Sequence, residues 1–220
     1  MQPTIKPRVK ICCISSIEEA WMAIRYGASA LGFVSHMPSG PGVISEELII
    51  EIVAQIPPPI ATFLLTSSQN TPEIIQQINC CGSNTVQICD KLKSGNYQDI
   101  REALPGISIV QVIHVTDKES LNEAIEIAPL VDAILLDSGN QSLTIKELGG
   151  TGRTHNWDIS RKIREEIKIP IFLAGGLKPE NIDLAVKQVA PFALDVCSGV
   201  RTNNKLDEDK LKRFFEELQQ

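Results

Sequence analysis

Residues 169–200 read IPIFLAGGLKPENIDLAVKQVAPFALDVCSGV, and this stretch decides the fold class. An apolar run at 169–174 is followed by two glycines. An amphipathic segment then opens at Pro179 with Glu180 behind it, as helices often begin. A second apolar run follows at 193–197. Short runs rich in Val, Ile and Leu are typical of buried parallel strands, so the stretch predicts a strand, a helix and a second, parallel strand.

The same alternation extends from this unit over the whole chain of 220 residues. We predict strands at 8–14, 29–34, 60–66, 85–89, 107–115, 133–137, 169–174 and 193–197. We predict helices at 17–26, 46–55, 71–80, 119–127, 158–166, 179–189 and 207–218. Eight strands in a chain of this length favour a closed barrel, because an open doubly wound sheet usually has fewer. The prediction is an α/β fold, a single (β/α)8 TIM barrel that forms one domain over residues 1–220.

Composition excludes several classes of partner. A net charge of -6 argues against nucleic acid or an anionic membrane as the main partner. No stretch approaches the roughly 20 uninterrupted apolar residues of a membrane span, and the first residues show no secretory signal. The six cysteines lack zinc-finger or disulfide-framework spacing. We therefore expect a cytoplasmic protein with reduced thiols.

The carboxyl ends of barrel strands carry the chemistry of this fold, so polar residues there are the candidate site. On the first strand, Lys10 and Cys12 are two residues apart and share a face. A buried lysine needs an anionic partner, and a neighbouring cation lowers the pKa of a thiol, which would make Cys12 a thiolate base. The alternative is that Cys12 is a small apolar core residue, as free cysteines usually are.

Two further strand ends carry polar side chains. Asp137 follows four apolar residues at the end of the sixth strand. Partial burial there would raise the pKa of its carboxyl and suit it to act as a general acid. The alternative is a capping aspartate that opens the next loop. Gln87 and Cys89 end the fourth strand on one face, where the amide of Gln87 is placed to hydrogen-bond a ligand.

Glycine-containing loops follow the seventh and eighth strands, at Gly175-Gly176 and at Ser198-Gly199. Backbone amides approach a ligand closely at glycine, and barrels often bind phosphate in these two loops. The alternative is that the glycines only make tight turns. Another glycine-rich stretch, GGTGRT at 149–154, lies in a long connection that is either a lid or a flexible surface loop.

Along nearly the whole chain these residues resemble the phosphoribosylanthranilate isomerase family. The family's K-[IV]-C-G-[IL] is similar to KICCI at 10–14, its A-D-A-[LI]-G-F-[VI] to ASALGFV at 28–34, and its V-Q-L to VQI at 86–88. Its L-L-D-[ST] and G-G-[TS]-G-x-T-x-D-W resemble LLDS at 135–138 and GGTGRTHNW at 149–157. L-A-G-G-L-x-P-x-N is similar to 173–181, and D-[VL]-x-S-G-V to 195–200. Motifs in this order are more specific together than any one alone.

The resemblance implies an Amadori rearrangement of N-(5-phosphoribosyl)anthranilate to 1-(2-carboxyphenylamino)-1-deoxyribulose 5-phosphate, a step of tryptophan biosynthesis. By motif position, Asp137 would protonate the ring oxygen, and Cys12 would take the proton from the adjacent sugar carbon. The implied binding residues are Lys10, Gln87 and Asp195 for the substrate, and Gly175, Gly176, Ser198 and Gly199 for its phosphate. No metal or cofactor is implied, and we expect a monomer or a homodimer.

Three positions differ from the family pattern. The family's P-x-S-P-R-x-[VI] reads PSGPGVI at 38–44, so the arginine that the resemblance assigns to the anthranilate carboxylate is Gly42. A bidentate arginine is not readily replaced at a carboxylate site. V-Q-L-H-G reads VQICD at 86–90, which loses a histidine, and Cys13 stands where glycine is usual. Either Arg153, Arg201 or His36 meets the carboxylate, or the substrate is a different aminated ribose phosphate.

The residues therefore leave three hypotheses. The first is the isomerase itself, and the second is a related barrel isomerase that acts on another aminated phosphosugar. The third is a non-catalytic protein that binds a phosphorylated ligand. Cys12 and Asp137 argue against the third hypothesis, because binding alone needs neither a base nor an acid.

Overall fold

A closed barrel of eight parallel strands, in the order of the chain, forms the centre of the computed structural model, which describes residues 6–218. The strands are β1 Arg8–Ile11, β2 Ala30–Val34, β3 Ala61–Thr66, β4 Thr85–Ile88, β5 Ser108–His114, β6 Ala133–Asp137, β7 Ile171–Leu173 and β8 Ala193–Val196. The helices are α1 Ile17–Tyr26, α2 Glu46–Val53, α3 Thr71–Cys81, α4 Tyr97–Ala103, α5 Glu119–Ile127, α6 Trp157–Glu166, α7 Ile182–Val189 and α8 Glu208–Glu217. The predicted (β/α)8 barrel is confirmed. The predicted domain, 1–220, includes residues 1–5 and 219–220, which lie outside the described part.

Side-chain alternation along the strands separates two apolar layers. On β6, Ile134 and Leu136 pack outward against the helices, whereas Ala133 and Leu135 fill the barrel interior. The same period of two turns Asp137 inward at the carboxyl end of the strand. The interior is therefore a packed core for most of its depth, and polar side chains are concentrated at its mouth.

Pairing of β8 with β1 closes the barrel and aligns two charged residues. In this parallel register Lys10 lies opposite Asp195, and Ile11 lies opposite Val196. Lys10 and Asp195 both face the interior, where a lone charge would be costly to bury. Closure of the sheet thus brings an ammonium and a carboxylate together beneath the mouth.

Some boundaries differ from the sequence prediction. Strand β1 ends at Ile11, not at residue 14, and helix α7 begins at Ile182, not at residue 179. In both cases the sequence pattern continues into the neighbouring turn. Helix α4 was not predicted, since it is short and buries only Ile100. A small antiparallel hairpin, β9 Arg201–Thr202 with β10 Lys205–Leu206, was also missed. Within residues 6–218, no helix has the length and apolar character needed to cross a membrane.

Candidate active site

A cavity of about 670 Å³, counted with the solvent at its mouth, opens at the carboxyl ends of the strands. Its walls come from the segments that follow β1, β2, β4, β6, β7 and β8. The predicted site residues that line it are Cys12, Gln87, Asp137, Gly175, Gly176, Asp195 and Ser198. Two predicted residues, Lys10 and Gly199, do not line the cavity. The structure thus brings most of the predicted site together on one surface.

Beneath the cavity lies a buried ion pair. The Nζ atom of Lys10 is 2.9 Å from Oδ1 of Asp195 and 5.2 Å from the ring centre of Phe63. Burial, the largest single effect, lowers the pKa of Lys10, but the charge and hydrogen bond of Asp195 together with the neighbouring Cys12 and Cys13 raise it overall. Lys10 is 0% exposed, so its expected contact with the substrate is not supported by this geometry. Its cation acts instead on the neighbouring side chains.

The thiol of Cys12 lies close to this cation. A Cβ atom added to Gly32 would be 3.0 Å from both Sγ of Cys12 and Nζ of Lys10, so the glycine leaves room for both groups. A hydrogen bond from the thiol of Cys13 lowers the pKa of Cys12, against the effect of burial, and the charge of Lys10 adds to the lowering. These neighbours favour the thiolate, which is the form that a base requires.

Asp137 shows the opposite shift. Burial raises the pKa of its carboxyl, although a hydrogen bond from the Ser138 amide, 2.7 Å from Oδ1, and the nearby His114 oppose the rise. A Cβ atom on Gly149 would lie 2.8 Å from Oδ2 of Asp137, so the glycine-rich loop passes directly over the carboxyl group. The Ser138 contact shows that Asp137 also shapes the next loop. The raised pKa favours the protonated form, which a general acid needs.

Gln87 and Cys89, which come after Cys12 and before Asp137 in the sequence, also line the cavity. Among the described residues, Oε1 of Gln87 is buried and has no hydrogen-bond partner. A buried acceptor without a partner is costly unless a ligand supplies a donor. Burial raises the pKa of Cys89, so its thiol stays protonated. The surroundings therefore lower the pKa of Cys12 and raise that of Cys89.

The loops after β7 and β8 form another wall. Gly175 and Gly176 have φ values of 81° and 63°, a backbone conformation that favours glycine. A Cβ atom on Gly176 would lie 2.6 Å from the carbonyl carbon of Arg153, and one on Gly199 would lie 1.9 Å from a carbonyl oxygen of the loop after β7. The glycines therefore both make the turns and allow three loops to approach closely. Ser198 lines the cavity, whereas Gly199 does not and packs against the loop after β7.

The long connection 138–156 is folded over the mouth. The Nζ atom of Lys146 is 2.5 Å from a carboxylate oxygen of Asp90, which is buried at the end of β4. The hydroxyl of Ser39 donates to the carbonyl of Lys146 at 2.6 Å, and the hydroxyls of Ser138 and Thr151 are 2.7 Å apart. The contacts with Asp90 and Ser39 attach the connection to two other loops, and the contact between Ser138 and Thr151 joins its two ends. Of the two expectations, the lid agrees better with this arrangement.

Arg201, one candidate for the substrate carboxylate, is unavailable to a ligand. Its guanidinium donates to both carboxylate oxygens of Glu19 at 3.0 Å. It also donates to the backbone carbonyls of Cys12 and Cys13, at 3.2 and 2.5 Å. These bonds hold the backbone of Cys12 and Cys13 in place. Arg201 is therefore a structural support for the site.

The other two candidates differ in position. His36 is exposed and does not line the cavity. Arg153 belongs to the loop over the mouth, its side chain is 60% exposed, and its guanidinium forms an ion pair with Glu147 at the surface. The two residues before it, Thr151 and Gly152, line the cavity. Of the three candidates, only Arg153 combines an exposed cation with a place at the mouth.

Sequence reasoning did not identify Cys197 as part of the site. Cys197 lines the cavity, and its Sγ atom is 2.9 Å from Sγ of Cys13. The spacing of Cys197 from Asp195 gave a usable signal, because residues two apart on a strand share a face. Cys13 was recognised as a departure from the family pattern, but its contact with Cys12 is visible only in three dimensions.

Together the fold and the site define a class: a (β/α)8-barrel enzyme with a thiol, a carboxyl group and glycine-rich loops at the barrel mouth. The model of the N-(5'phosphoribosyl)anthranilate (PRA) isomerase family matches residues 9–217. The chain belongs to this family.

Individual relatives agree with this assignment. The chain is 35% identical to N-(5'-phosphoribosyl)anthranilate isomerase of Methanosarcina acetivorans, an alignment that covers 97% of this chain and 94% of the relative. The crystal structure of phosphoribosyl anthranilate isomerase from Thermotoga maritima is 28% identical, with a TM-score of 0.80 and coverage of 97% and 98%. Another structure of this isomerase, in complex with reduced 1-(o-carboxyphenylamino)-1-deoxyribulose 5-phosphate, is 27% identical, with a TM-score of 0.77 and the same coverage. The predicted family is confirmed.

Proposed function

We propose that the protein isomerises N-(5'-phosphoribosyl)anthranilate to 1-(2-carboxyphenylamino)-1-deoxyribulose 5-phosphate, with Cys12 as the base and Asp137 as the acid. One observation carries the assignment of the two groups: their surroundings shift their pKa values in opposite directions. The active form needs a thiolate and a protonated carboxyl at the same time. Lowering the thiol pKa and raising the carboxyl pKa both increase the fraction of protein in that form.

The reaction follows from these protonation states. Asp137 donates its proton to the ring oxygen of the ribose, the ring opens, and a Schiff base to the aromatic amine remains. The thiolate of Cys12 then removes the proton from the adjacent sugar carbon, and the resulting enolamine tautomerises to the ketone. The buried cation of Lys10 stabilises the thiolate before this transfer. Each proton transfer by a positioned side chain contributes roughly 10²–10⁴-fold to the rate.

Binding of the substrate is proposed at two places. Gly175, Gly176 and Ser198 lie on the wall where barrels often bind phosphate, and Gly199 packs the loop of Ser198 against the loop after β7. The unpartnered oxygen of Gln87 accepts a hydrogen bond from a sugar hydroxyl or from the amine. Asp195 presents its carboxylate to the cavity while Lys10 holds it from below. The expected monomer or homodimer stays a prediction.

The anthranilate carboxylate needs a cation that Gly42 does not provide. We propose Arg153, because the loop that carries it covers the mouth and its exposed side chain is paired, among the described residues, only with the half-buried Glu147. A substrate carboxylate would compete with Glu147 for the guanidinium when the loop closes. This assignment keeps the isomerase hypothesis and removes the need for a different aminated ribose phosphate.

The catalytic assignment is tested with Cys12→Ser and Asp137→Asn, assayed by the appearance of the product. We expect each variant to lower kcat roughly 10²–10⁴-fold with the fold retained, because each removes one proton-transfer group. Cys89→Ser is the matched control, since it changes a buried thiol that lines the same cavity but stays protonated. A loss in Cys89→Ser as large as that in Cys12→Ser would remove the basis for naming Cys12 the base.

The carboxylate anchor is tested with Arg153→Ala. A charge-assisted hydrogen bond contributes about 1.5–3 kcal/mol, so KM should rise about ten- to a hundredfold with little change in kcat. Arg161→Ala is the control, because Arg161 is also an exposed arginine in a surface ion pair. Growth of an isomerase-deficient strain without tryptophan tests the reaction itself. Failure of the wild-type protein to support that growth, with the protein folded, would count against the proposed function.

A further inference from the structure

Two thiols face each other on the cavity wall, next to Cys12. Sγ of Cys13 and Sγ of Cys197 are 2.9 Å apart, and both residues line the cavity. All six cysteines are free thiols in this structure. A disulfide needs an Sγ–Sγ distance of about 2.05 Å, so closing the gap takes a movement of about 0.9 Å. Among residues 6–218, no group of three or more His, Cys, Asp or Glu side chains is arranged to hold a metal.

The backbone around the two thiols is held from several directions. The guanidinium of Arg201 binds the carbonyl of Cys13, and the thiol of Cys13 lies 3.6 Å from the carbonyl of Pro41. Cys13 has a φ of 62°, a left-handed conformation that is uncommon for a residue with a side chain. Cys197 is only partly buried and opens on the cavity. The arrangement holds one thiol firmly and leaves the other accessible to a small reagent.

We propose that Cys13 and Cys197 are a redox modification site that forms a reversible disulfide in the presence of a peroxide. The Cys197 thiolate attacks one oxygen of the peroxide, the O–O bond breaks, and a sulfenic acid forms as hydroxide leaves and takes up a proton. The Cys13 sulfur then attacks the sulfenic sulfur, the S–O bond breaks, and water leaves. Two thiols are oxidised to one disulfide, and one hydrogen peroxide is reduced to two waters.

Formation of this disulfide changes the surroundings of the base. In the reduced protein the Cys13 thiol donates a hydrogen bond that stabilises the Cys12 thiolate. A disulfide has no proton to donate, so oxidation removes this stabilisation. Among the described residues, the other charged and titratable neighbours of Cys12 are Lys10 on β1, Asp195 on β8 and Cys89 after β4. Oxidation therefore lowers the thiolate fraction of Cys12 at neutral pH. The consequence for turnover rests on the proposed function, whereas bond formation does not.

The bond is tested on the full chain by peptide mass spectrometry. The reduced protein is treated with hydrogen peroxide, free thiols are blocked with iodoacetamide, and the protein is digested with trypsin. We expect the peptides 11–25 and 188–201 to be joined through Cys13 and Cys197, and to separate again after dithiothreitol. Cys13→Ser and Cys197→Ser should lack the link, whereas Cys80→Ser, which removes an exposed thiol on α3, should form it. Absence of the link in the wild type, or a link from Cys12 instead, overturns the proposal.

The effect on the base is measured without relying on turnover. Iodoacetamide alkylates thiolates, so the pH dependence of alkylation reports on Cys12 directly. We expect this dependence to move to higher pH after oxidation, and kcat at neutral pH to fall about tenfold for each unit of that movement. If the disulfide forms but the alkylation of Cys12 is unchanged, the switching role is refuted. If the reduced protein has no isomerase activity while the disulfide forms, the proposed function fails and the modification site stands.

Discussion

Replacing Gly42 tests whether the absence of arginine at position 42 and the presence of cysteine at position 13 depend on each other. A Cβ atom at position 42 would lie 2.4 Å from Cβ, 2.9 Å from Sγ and 3.0 Å from Cα of Cys13. Gly42 also has a φ of 81°, a left-handed conformation. Gly42→Ala should therefore add about 1–2 kcal/mol of backbone strain and about 1–3 kcal/mol from overpacking. The expected loss in the free energy of unfolding is about 2–5 kcal/mol.

The two contributions can be separated with a matched glycine. Gly82 has a φ of 68°, and a Cβ atom there would meet no atom within 4 Å. Gly82→Ala should therefore cost only the backbone strain, about 1–2 kcal/mol. In a Cys13→Gly background the contacts with Cβ and Sγ are removed and only the 3.0 Å contact with Cα remains, so the cost of Gly42→Ala should fall toward that of Gly82→Ala. Urea unfolding of the four proteins in the cycle gives the coupling between positions 13 and 42, which we expect to be about 1–3 kcal/mol.

Strict additivity would refute this reasoning. If Gly42→Ala costs the same in the presence and absence of the Cys13 side chain, the contact does not limit what position 42 can hold. The same two positions are also tested by isomerase activity, in variants that carry Arg153→Ala. Gly42→Arg alone should leave KM high, whereas Gly42→Arg together with Cys13→Gly should lower it, because the arginine then has room to reach the carboxylate.

Three further predictions concern the frame of the site. Lys10→Met leaves the carboxylate of Asp195 buried without its cation and should destabilise the fold by about 3–5 kcal/mol in urea unfolding. The control Lys187→Met, at an exposed ion pair, should change the free energy of unfolding by less than about 0.5 kcal/mol. Equal losses in the two variants would contradict the argument. Gly199→Ala meets a carbonyl oxygen at 1.9 Å and should lower the midpoint of unfolding further than Gly106→Ala, which meets nothing within 4 Å; the reverse order would be inconsistent with close packing of the two loops. Inorganic phosphate should stabilise the protein by linkage, by about 2.7 kcal/mol at a hundred times its dissociation constant, and no thermal shift at high phosphate would argue against the phosphate site.

The fold could be predicted from sequence because its strands are buried on both sides. Their Val, Ile and Leu runs, such as Ala133–Asp137, contrast with the amphipathic helices, and both patterns repeat along the chain. The elements that were missed depend on local hydrogen bonds more than on burial. Helix α4 begins with a capping box formed by Asn96 and Asp99, and the β9–β10 hairpin turns at Asn203 and Asn204, both at positive φ. Such features occupy few residues and produce little apolar periodicity.

The site was predictable only where one strand end provides the chemistry. Cys12 and Asp137 follow apolar runs at strand ends, and the structure places both on the cavity. The position of Lys10 beneath that cavity could not be predicted, because it depends on the register of β8 against β1. The commitment of Arg201 to Glu19 depends likewise on contacts between residues 182 positions apart. Sequence spacing identifies which residues share a strand face, whereas the depth of each side chain is set by the closed barrel.

The contact between positions 13 and 42 links two parts of the proposed site, the one near the substrate carboxylate and the one near Cys12. The side chain absent at Gly42 leaves space for the one present at Cys13, and the thiol placed there contacts both Cys12 and Cys197. The chain therefore lacks the arginine of the family pattern at position 42 and has beside Cys12 a thiol that lowers its pKa. This link separates the roles of two residues. Cys13→Gly should change both the room for the carboxylate and the pKa of Cys12, whereas Arg153→Ala, which touches only the carboxylate end, should change KM and leave the alkylation pH of Cys12 unaltered.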